Sequence, residues 1–526
     1  MAVVWIVTTG NSDIQLTSIP EKWDKLCKEK KAVLKPCLDD FRDKEGISKQ
    51  KTGLYTVVAR LLGVIFSDKI DEYWNYFKFP LLDGFCKKIN EKKIKPDRII
   101  ILLTDQDAIF DIDKRSNHDS PYWKDTCTLE PILEHYFKDK YDVKIESVVL
   151  QPEKDQIGLD DWNSTLILVQ EKFASLGINQ SDTIIVSHQA GTPAISSAVQ
   201  FASLSNFGDM VSFLTSNERT REASLDSSSS YFESMQIQEA KKFLNNYDYV
   251  SVYSVLENKL KRLQSKNPDQ ADNILKLLEV AKLWNLSKFG EFKEAMKNLP
   301  VENLRDIATA RFSDSWNWWI AYEEAYLGII RRNQGNIVEA FFHSFRAFEG
   351  IFAEWGNKIF KGDENIVIHK DIPCLTKDIL EDDCQKYLAS SDLRSLREEL
   401  AKEGILKLEL MTLCKIFKKN RSDYKPAKCP DITIFWDNND KEGRISVASR
   451  RNFIFHQVQG MEEAQLMEFW RVDTLKEVEQ QIQDWENKIL RFLNFIADEK
   501  DFKTWEEASL MARVHVELVK EIREIV

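Results

Sequence analysis

The chain has 526 residues, 73 Lys+Arg against 85 Asp+Glu, a net charge of −12 and 43% hydrophobic residues. At about 100 to 200 residues per domain it exceeds one compact core, and 30% charged residues with only 18 Gly and 13 Pro exclude a collagenous or low-complexity chain. The acidic total speaks against a general nucleic-acid coat, which must neutralise many phosphates, but leaves room for a local basic site.

No run approaches the roughly 18 apolar residues of a membrane helix, and the start MAVVWIVTTGNSD lacks the basic stretch of a secretory leader. The eight cysteines are scattered without C-x-x-C spacing. Reduced thiols in a cytoplasmic protein are therefore expected rather than a disulfide framework or a zinc site; no metal and no cofactor are expected.

Over the first 220 or so residues, short β-branched runs alternate with helical patterns, the signature of a parallel sheet covered by helices. Strands are predicted at Val3–Thr8, Arg98–Thr104, Ile145–Leu150, Thr183–Ser187 and Val211–Thr215. Helices are predicted at Asp71–Lys92 with a break at Pro80, at Trp162–Ala174 and at Pro193–Ser205. The Ser-rich stretch Ser224–Ser230 reads as a boundary. Beyond it strand patterns almost vanish, and i, i+3, i+4 apolar spacing predicts helices at Phe243–Leu263, Ala271–Leu286, Trp316–Arg332, Ile337–Phe360, Thr376–Ala389, Leu393–Phe417 and Leu475–Ala497. Ser422–Arg444 reads as a long loop holding a short strand, Ile432–Trp436. The fold class is thus a Rossmann-like α/β region followed by an all-α region.

Ligands of open parallel sheets bind beyond the carboxyl ends of the strands. Those ends here are small and polar: Thr9-Gly10-Asn11-Ser12, then Thr104-Asp105-Gln106, then His188-Gln189-Ala190-Gly191-Thr192-Pro193. Gly191 permits a tight turn, Thr192 suits an N-cap and Pro193 suits a first helical position. The helix that follows either simply starts there or offers its N-terminal amides to an anion such as a phosphate. No G-x-G-x-x-G or G-x-x-x-x-G-K-[ST] occurs at these places, which disfavours dinucleotide oxidoreductases and P-loop NTPases.

In the helical region, Ser449-Arg450-Arg451-Asn452-Phe453-Ile454-Phe455-His456 sets an arginine five residues before a histidine. On a helix Asn452 and His456 share a face, and Arg451 lies on its shoulder, roughly 140° away. A histidine titrating near neutral pH can move the proton of a ribose 2′-OH, and an arginine can stabilise the charge that develops on phosphate. The bland alternative is a core helix. His343 reads as a structural or interface residue, and Trp316, Trp318 and Trp319 as an aromatic core or a signal-transmitting segment.

Taken together, TTGNSD, SHQAGTPA, FFHSFRAFEG and RNFIFH resemble the CARF–HEPN ribonucleases of type III CRISPR systems. The resemblance implies a CARF ligand-sensing domain at 1–230, a helical linker domain at 231–335 and a HEPN nuclease domain at 336–526. It implies that Thr9, Gly10, Asn11, Ser12, Thr104, Asp105, Gln106, His188, Gln189, Gly191, Thr192 and Pro193 bind a cyclic oligoadenylate, with the tetra-adenylate favoured over the hexa-adenylate. It makes Arg451, Asn452 and His456 the catalytic residues of a metal-independent endoribonuclease leaving 2′,3′-cyclic phosphates, with Arg450 an alternative to Arg451. The implied partners are single-stranded RNA, the cyclic activator and a second copy of the chain, with no membrane and no DNA. The implied regulation is an allosteric coupling of about a few kcal/mol. Some members also cleave their activator, for which Thr9, Ser12, His188 and Thr192 offer hydroxyls and a base. A non-catalytic nucleotide sensor with a helical dimerisation module is the competing class.

Residues 411–460, around RNFIFH, hold ten Lys+Arg against five acids, a net +5 that leaves −17 for the rest. RNA is accordingly expected at one small basic groove near His456.

Overall fold

The computed structural model describes residues 2–34, 46–117, 119–154, 157–179, 181–217, 222–226, 230–361, 365–370, 372–381, 383–421, 449, 451, 454, 460–497 and 500–525. They form two compact units, Met1–Glu233 and Ser234–Val526.

The first unit is built on a six-stranded sheet. Its strands are β1 (Val3–Thr8), β2 (Arg98–Thr104), β3 (Lys144–Leu150), β4 (Thr183–Ser187), β5 (Val211–Ser216) and β6 (Ala223–Asp226), in the order β6-β5-β4-β1-β2-β3. All neighbours are parallel except the β5–β6 edge pair. The register sets Val4 against Arg98 on one side of β1, and Val3 against Thr183 on the other. Alternation sends Trp5, Val7, Ile99, Ile101 and Ile185 into one layer, and Val4, Ile6, Ile100, Ile184 and Val186 into the opposite one. Both faces are covered, which is why these runs carry almost no polar residue. From β1 the chain moves outward through β2 and β3, then returns to β4 on the other side of β1. The order therefore reverses between β1 and β4, and a crevice opens there.

Several details of this unit depart from the sequence reading. The predicted helix Asp71–Lys92 is a short helix Ile70–Tyr73, a strand Phe77–Lys78 and a helix Pro80–Glu91 with Pro80 in its first turn. Phe77–Lys78 pairs in a small antiparallel sheet with Gln15–Leu16, Ile47–Lys49 and Tyr55–Val57, strands too short for any pattern to show. Ser224–Asp226, read as loop, belongs to the edge strand β6.

The second unit is mainly helical around one core that runs from Ile237 to Ile525 and takes in residues of both 231–335 and 336–526. Trp316, Trp318 and Trp319 are buried in it, with Trp319 packed edge-on to Phe312 at 4.9 Å. Its central hairpin joins the helices Trp319–Asn333 and Ile337–Ile359, the second capped by Asn336 on the amide of Glu339. The single helix expected over Phe243–Leu263 is two, Ser230–Asn245 and Tyr249–Lys266, because Asp248 caps the second by accepting from the Ser251 amide. Leu393–Phe417 is likewise divided. Gly404, at φ 77°, ends the helix Arg394–Glu403, and a strand Ile405–Lys407 precedes the helix Leu410–Asn420. The predicted helix Thr376–Ala389 is instead the end of a strand, Ile372–Thr376, followed by 3₁₀ turns. With Ile366–His369 these strands make a three-stranded antiparallel sheet that the sequence reading did not expect. The suggested strand Ile432–Trp436 lies outside the described residues.

Candidate functional site

A cavity of about 540 Å³ opens over the β1/β4 crevice, within the range of small-molecule sites. Thr9, Gly10, Asn11, Ser12, Thr104, Gln106, Gln189, Gly191 and Thr192 line it. Three loops far apart in sequence thus converge on one space. Asp105, His188 and Pro193 are not on its lining.

Each loop is fixed by hydrogen bonds of its own. Thr9 is buried, and its hydroxyl donates to the Leu102 carbonyl at 2.7 Å and meets the Thr126 hydroxyl at 2.8 Å. Thr104 and Thr126 exchange amide-to-hydroxyl bonds of 3.0 and 3.1 Å, latching the end of β2 to the segment after Asp125. Asn11 accepts the Ala59 amide at 2.7 Å, which ties its loop to the start of the helix Ala59–Phe66 and leaves its own N–H groups for the cavity. A Cβ on Gly10 would sit 2.9 Å from the Gly191 nitrogen, so the first and third loops touch only because Gly10 has no side chain. Gly191 itself has φ 96°, a conformation costly for other residues.

Thr192 caps the helix Pro193–Phe207, accepting from the Ile195 amide at 3.2 Å and donating to the Leu159 carbonyl at 2.8 Å. Pro193 takes the first helical turn, so its place follows from helix chemistry. Gln189 pairs with the backbone of Ser216, accepting at 2.5 Å and donating at 3.1 Å, in the manner of a strand neighbour.

Asp105 turns to Arg60 instead of the cavity, at 2.7 Å. The Arg60 guanidinium, stacked 3.9 Å over Tyr122, also pairs with Asp125 at 3.0 Å. Asp125 accepts the Gln106 amide and side chain at 2.9 and 3.1 Å, while Gln106 accepts the Leu159 amide at 2.9 Å. The network holds the second loop rigid. His188 points its Nδ1 at the Ser196 hydroxyl, 3.0 Å away, and packs edge-on to Phe213; burial holds its imidazole below the usual histidine range.

Among the lining residues that the sequence reading did not name as site residues are Asp13, Lys124, Asp125 and Thr126. Asp13 ends the TTGNSD string and was open to inspection. The other three come from a connection between helices, where no strand-end rule applies. Asp13 is buried and accepts the Gly10 amide at 2.9 Å; burial pushes its carboxyl from 3.8 up to about 7, against that hydrogen bond. A neutral carboxyl there can donate a hydrogen bond and does not repel an anion.

In the helical unit, Arg450, Asn452 and His456 lie outside the described residues. Of RNFIFH the structure describes Arg451 and Ile454. Ile454 is buried in the core, and the Arg451 guanidinium stands 5.7 Å from the Phe345 ring on the helix Ile337–Ile359. His343, on the same helix, bonds through Nδ1 to Glu324 at 2.8 Å. The segment FFHSFRAFEG is therefore the packing neighbour of Arg451.

A parallel α/β unit with a cavity at its switch point is followed along the chain by a mainly helical unit. A solved structure with this fold is that of Csm6 from Enterococcus italicus bound to cyclic hexa-2′-fluoro-hexa-dAMP. The two superpose with a TM-score of 0.52 over 100% of both chains at 12% sequence identity, a likeness of fold. No family model and no curated protein matches the sequence.

Proposed function

We propose that the chain is an endoribonuclease that cleaves single-stranded RNA when a cyclic oligoadenylate occupies the cavity of its α/β unit, in type III CRISPR defence. The observation that carries this reading is the convergence of nine strand-end residues on one cavity at the switch point. Small hydroxyl and amide side chains, a capped helix start and one lysine, Lys124, suit adenosine and phosphate groups together. The ligand of the Enterococcus italicus structure, a cyclic hexa-adenylate analogue, is of the same chemical class and makes the hexa-adenylate the first activator to try, with the tetra-adenylate beside it.

In this reading His456 takes the proton of the RNA 2′-OH, whose oxygen attacks the adjacent phosphate; the P–O5′ bond breaks, the departing 5′-oxygen takes up a proton and becomes a 5′-hydroxyl, and a 2′,3′-cyclic phosphate remains. Arg451 stabilises the developing charge, and Asn452 orients the phosphate or the imidazole. No metal enters the scheme. Two copies of the chain supply two such motifs to one composite site and share one near-symmetric ligand.

The test incubates purified protein and its His456→Ala variant with a fluorogenic RNA in EDTA, with each activator in turn. Cleavage that needs both the activator and His456 is expected. No cleavage under either activator, or unchanged cleavage by the variant, removes the nuclease reading. Ligand binding without cleavage would favour a non-catalytic sensor.

A further inference from the structure

The helix Ile337–Ile359 carries charges that helix packing does not require. Glu324, on the neighbouring helix Trp319–Asn333, has a side chain only 4% exposed; its Oε1 lies 2.8 Å from His343 Nδ1 and 3.1 Å from Arg346 Nη1. Its Oε2 is buried with no hydrogen-bond partner. A buried carboxylate with one unsatisfied oxygen is a costly way merely to pin two helices, and such groups concentrate where geometry serves a ligand. Arg346 gives one terminal nitrogen to this contact while its side chain is 54% exposed. A guanidinium has five N–H donors, so most of those on Arg346 remain for something outside.

One turn further along, Glu349 is half-buried, and burial raises its carboxyl while the charges of Arg451 and Arg346 pull it down. The Arg451 guanidinium stands 5.7 Å from the ring of Phe345, the residue next to Arg346, so two guanidinium groups about a hundred residues apart in sequence come into one neighbourhood and both act on the Glu349 carboxyl. Paired arginines held in fixed orientation match the geometry of a phosphodiester, which takes bidentate hydrogen bonds.

We propose that Arg346 is a second RNA-phosphate-binding residue working beside Arg451, with Glu324 and Glu349 as the positioning residues that fix the two guanidinium groups. This rests on the nuclease reading and adds to it a residue outside the RNFIFH segment. Glu324 holds Arg346 from below. Glu349 carries the carboxyl on which both arginine charges act.

Binding of a fluorescent single-stranded RNA is measured against salt in a His456→Ala background, with and without Arg346→Ala. Loss of one phosphate contact from a single strand lowers the slope of log K against log salt by about 0.7, with affinity falling roughly tenfold at low salt. Arg346→Lys keeps the slope and loses part of the affinity, and it covers the case in which the alanine variant fails to fold. Glu349→Gln in the otherwise wild-type chain keeps the slope but lowers kcat more than it changes KM. An unchanged slope in Arg346→Ala overturns the proposal while wild-type cleavage stands. Absence of any RNA cleavage or binding by the wild-type protein removes the nuclease reading and this inference with it.

Discussion

Replacing Asp13 by Asn separates charge from shape beside the first ligand loop. The amide oxygen can still accept the Gly10 N–H, now 2.9 Å from Asp13 Oδ2, and the side chain can no longer ionise. Burial raises the Asp13 carboxyl from 3.8 to about 7 in the folded protein. The folded state therefore keeps a proton that the unfolded state has already lost between those values. Stability from this group is complete below about pH 4 and is lost as pH rises through about 7. At about 1.4 kcal/mol per pH unit the loss is about 2 kcal/mol at pH 5 and about 4 kcal/mol by pH 8, an upper figure for a well-buried group. Asp13→Asn removes that loss. Hydrogen exchange of the amides in β1 and residues 10–13, corrected for intrinsic rates, reads the local opening free energy from pH 5 to pH 8. The variant should be more protected than the wild type by a margin that grows with pH. Equal protection at pH 8, or weaker protection in the variant, refutes a carboxyl buried in its neutral form.

Gly10→Ala puts a Cβ within 2.9 Å of the Gly191 nitrogen and must part the two loops; cyclic-oligoadenylate affinity by calorimetry should drop at least roughly tenfold, about 1.4 kcal/mol, with the fold retained. Thr192→Arg fills the cavity wall beside the start of the helix Pro193–Phe207. It should abolish ligand-triggered cleavage while the oligomeric state by gel filtration is unchanged, and retained activation would count against the ligand loop. Glu323 is fully buried, accepts the Ser509 hydroxyl and the Leu510 amide at 2.7 and 2.5 Å, and faces the buried Arg311. Glu323→Ala should lower the Tm of the helical unit by the equivalent of about 3 kcal/mol, since it strips the start of the helix Leu510–Glu524 and leaves Arg311 without its counter-charge; a Tm within a degree of wild type would contradict this.

What the sequence made legible follows from which forces are local. The central parallel strands were readable because burial on both faces demands nearly unbroken apolar runs, and these three, Val3–Thr8, Arg98–Thr104 and Thr183–Ser187, have the predicted ends. Their loops were readable as candidate lining because a parallel sheet fixes where the carboxyl ends point. Asp125 and Thr126 were not, since what holds them at the cavity is distant in sequence: Arg60, 65 residues from Asp125, and Thr9 and Thr104 for Thr126. The same limit explains Asp105: its position after β2 is right for a ligand, but a buried guanidinium takes its carboxylate first. In the helical unit, apolar spacing over Thr376–Ala389 imitates a helix, while pairing of Leu375 with Leu406 holds the preceding stretch as strand. Spacing alone does not contain that partner.

The charge pattern now separates the two proposed sites by their response to salt. Among the described residues the cavity lining holds one cation, Lys124, and three carboxyls, Asp13, Asp125 and Asp160. Asp125 is tied to Arg60, and burial favours the neutral form of Asp13. A polyanion held there depends on amides and a helix start more than on net positive charge, so few counterions are released when it binds. The proposed RNA site at Arg346 and Arg451 works the other way, with phosphates neutralised by cations. Raising salt from about 50 to 200 mM should therefore weaken RNA binding steeply and ligand binding little. At high salt the protein should remain ligand-loaded yet fail to hold its substrate.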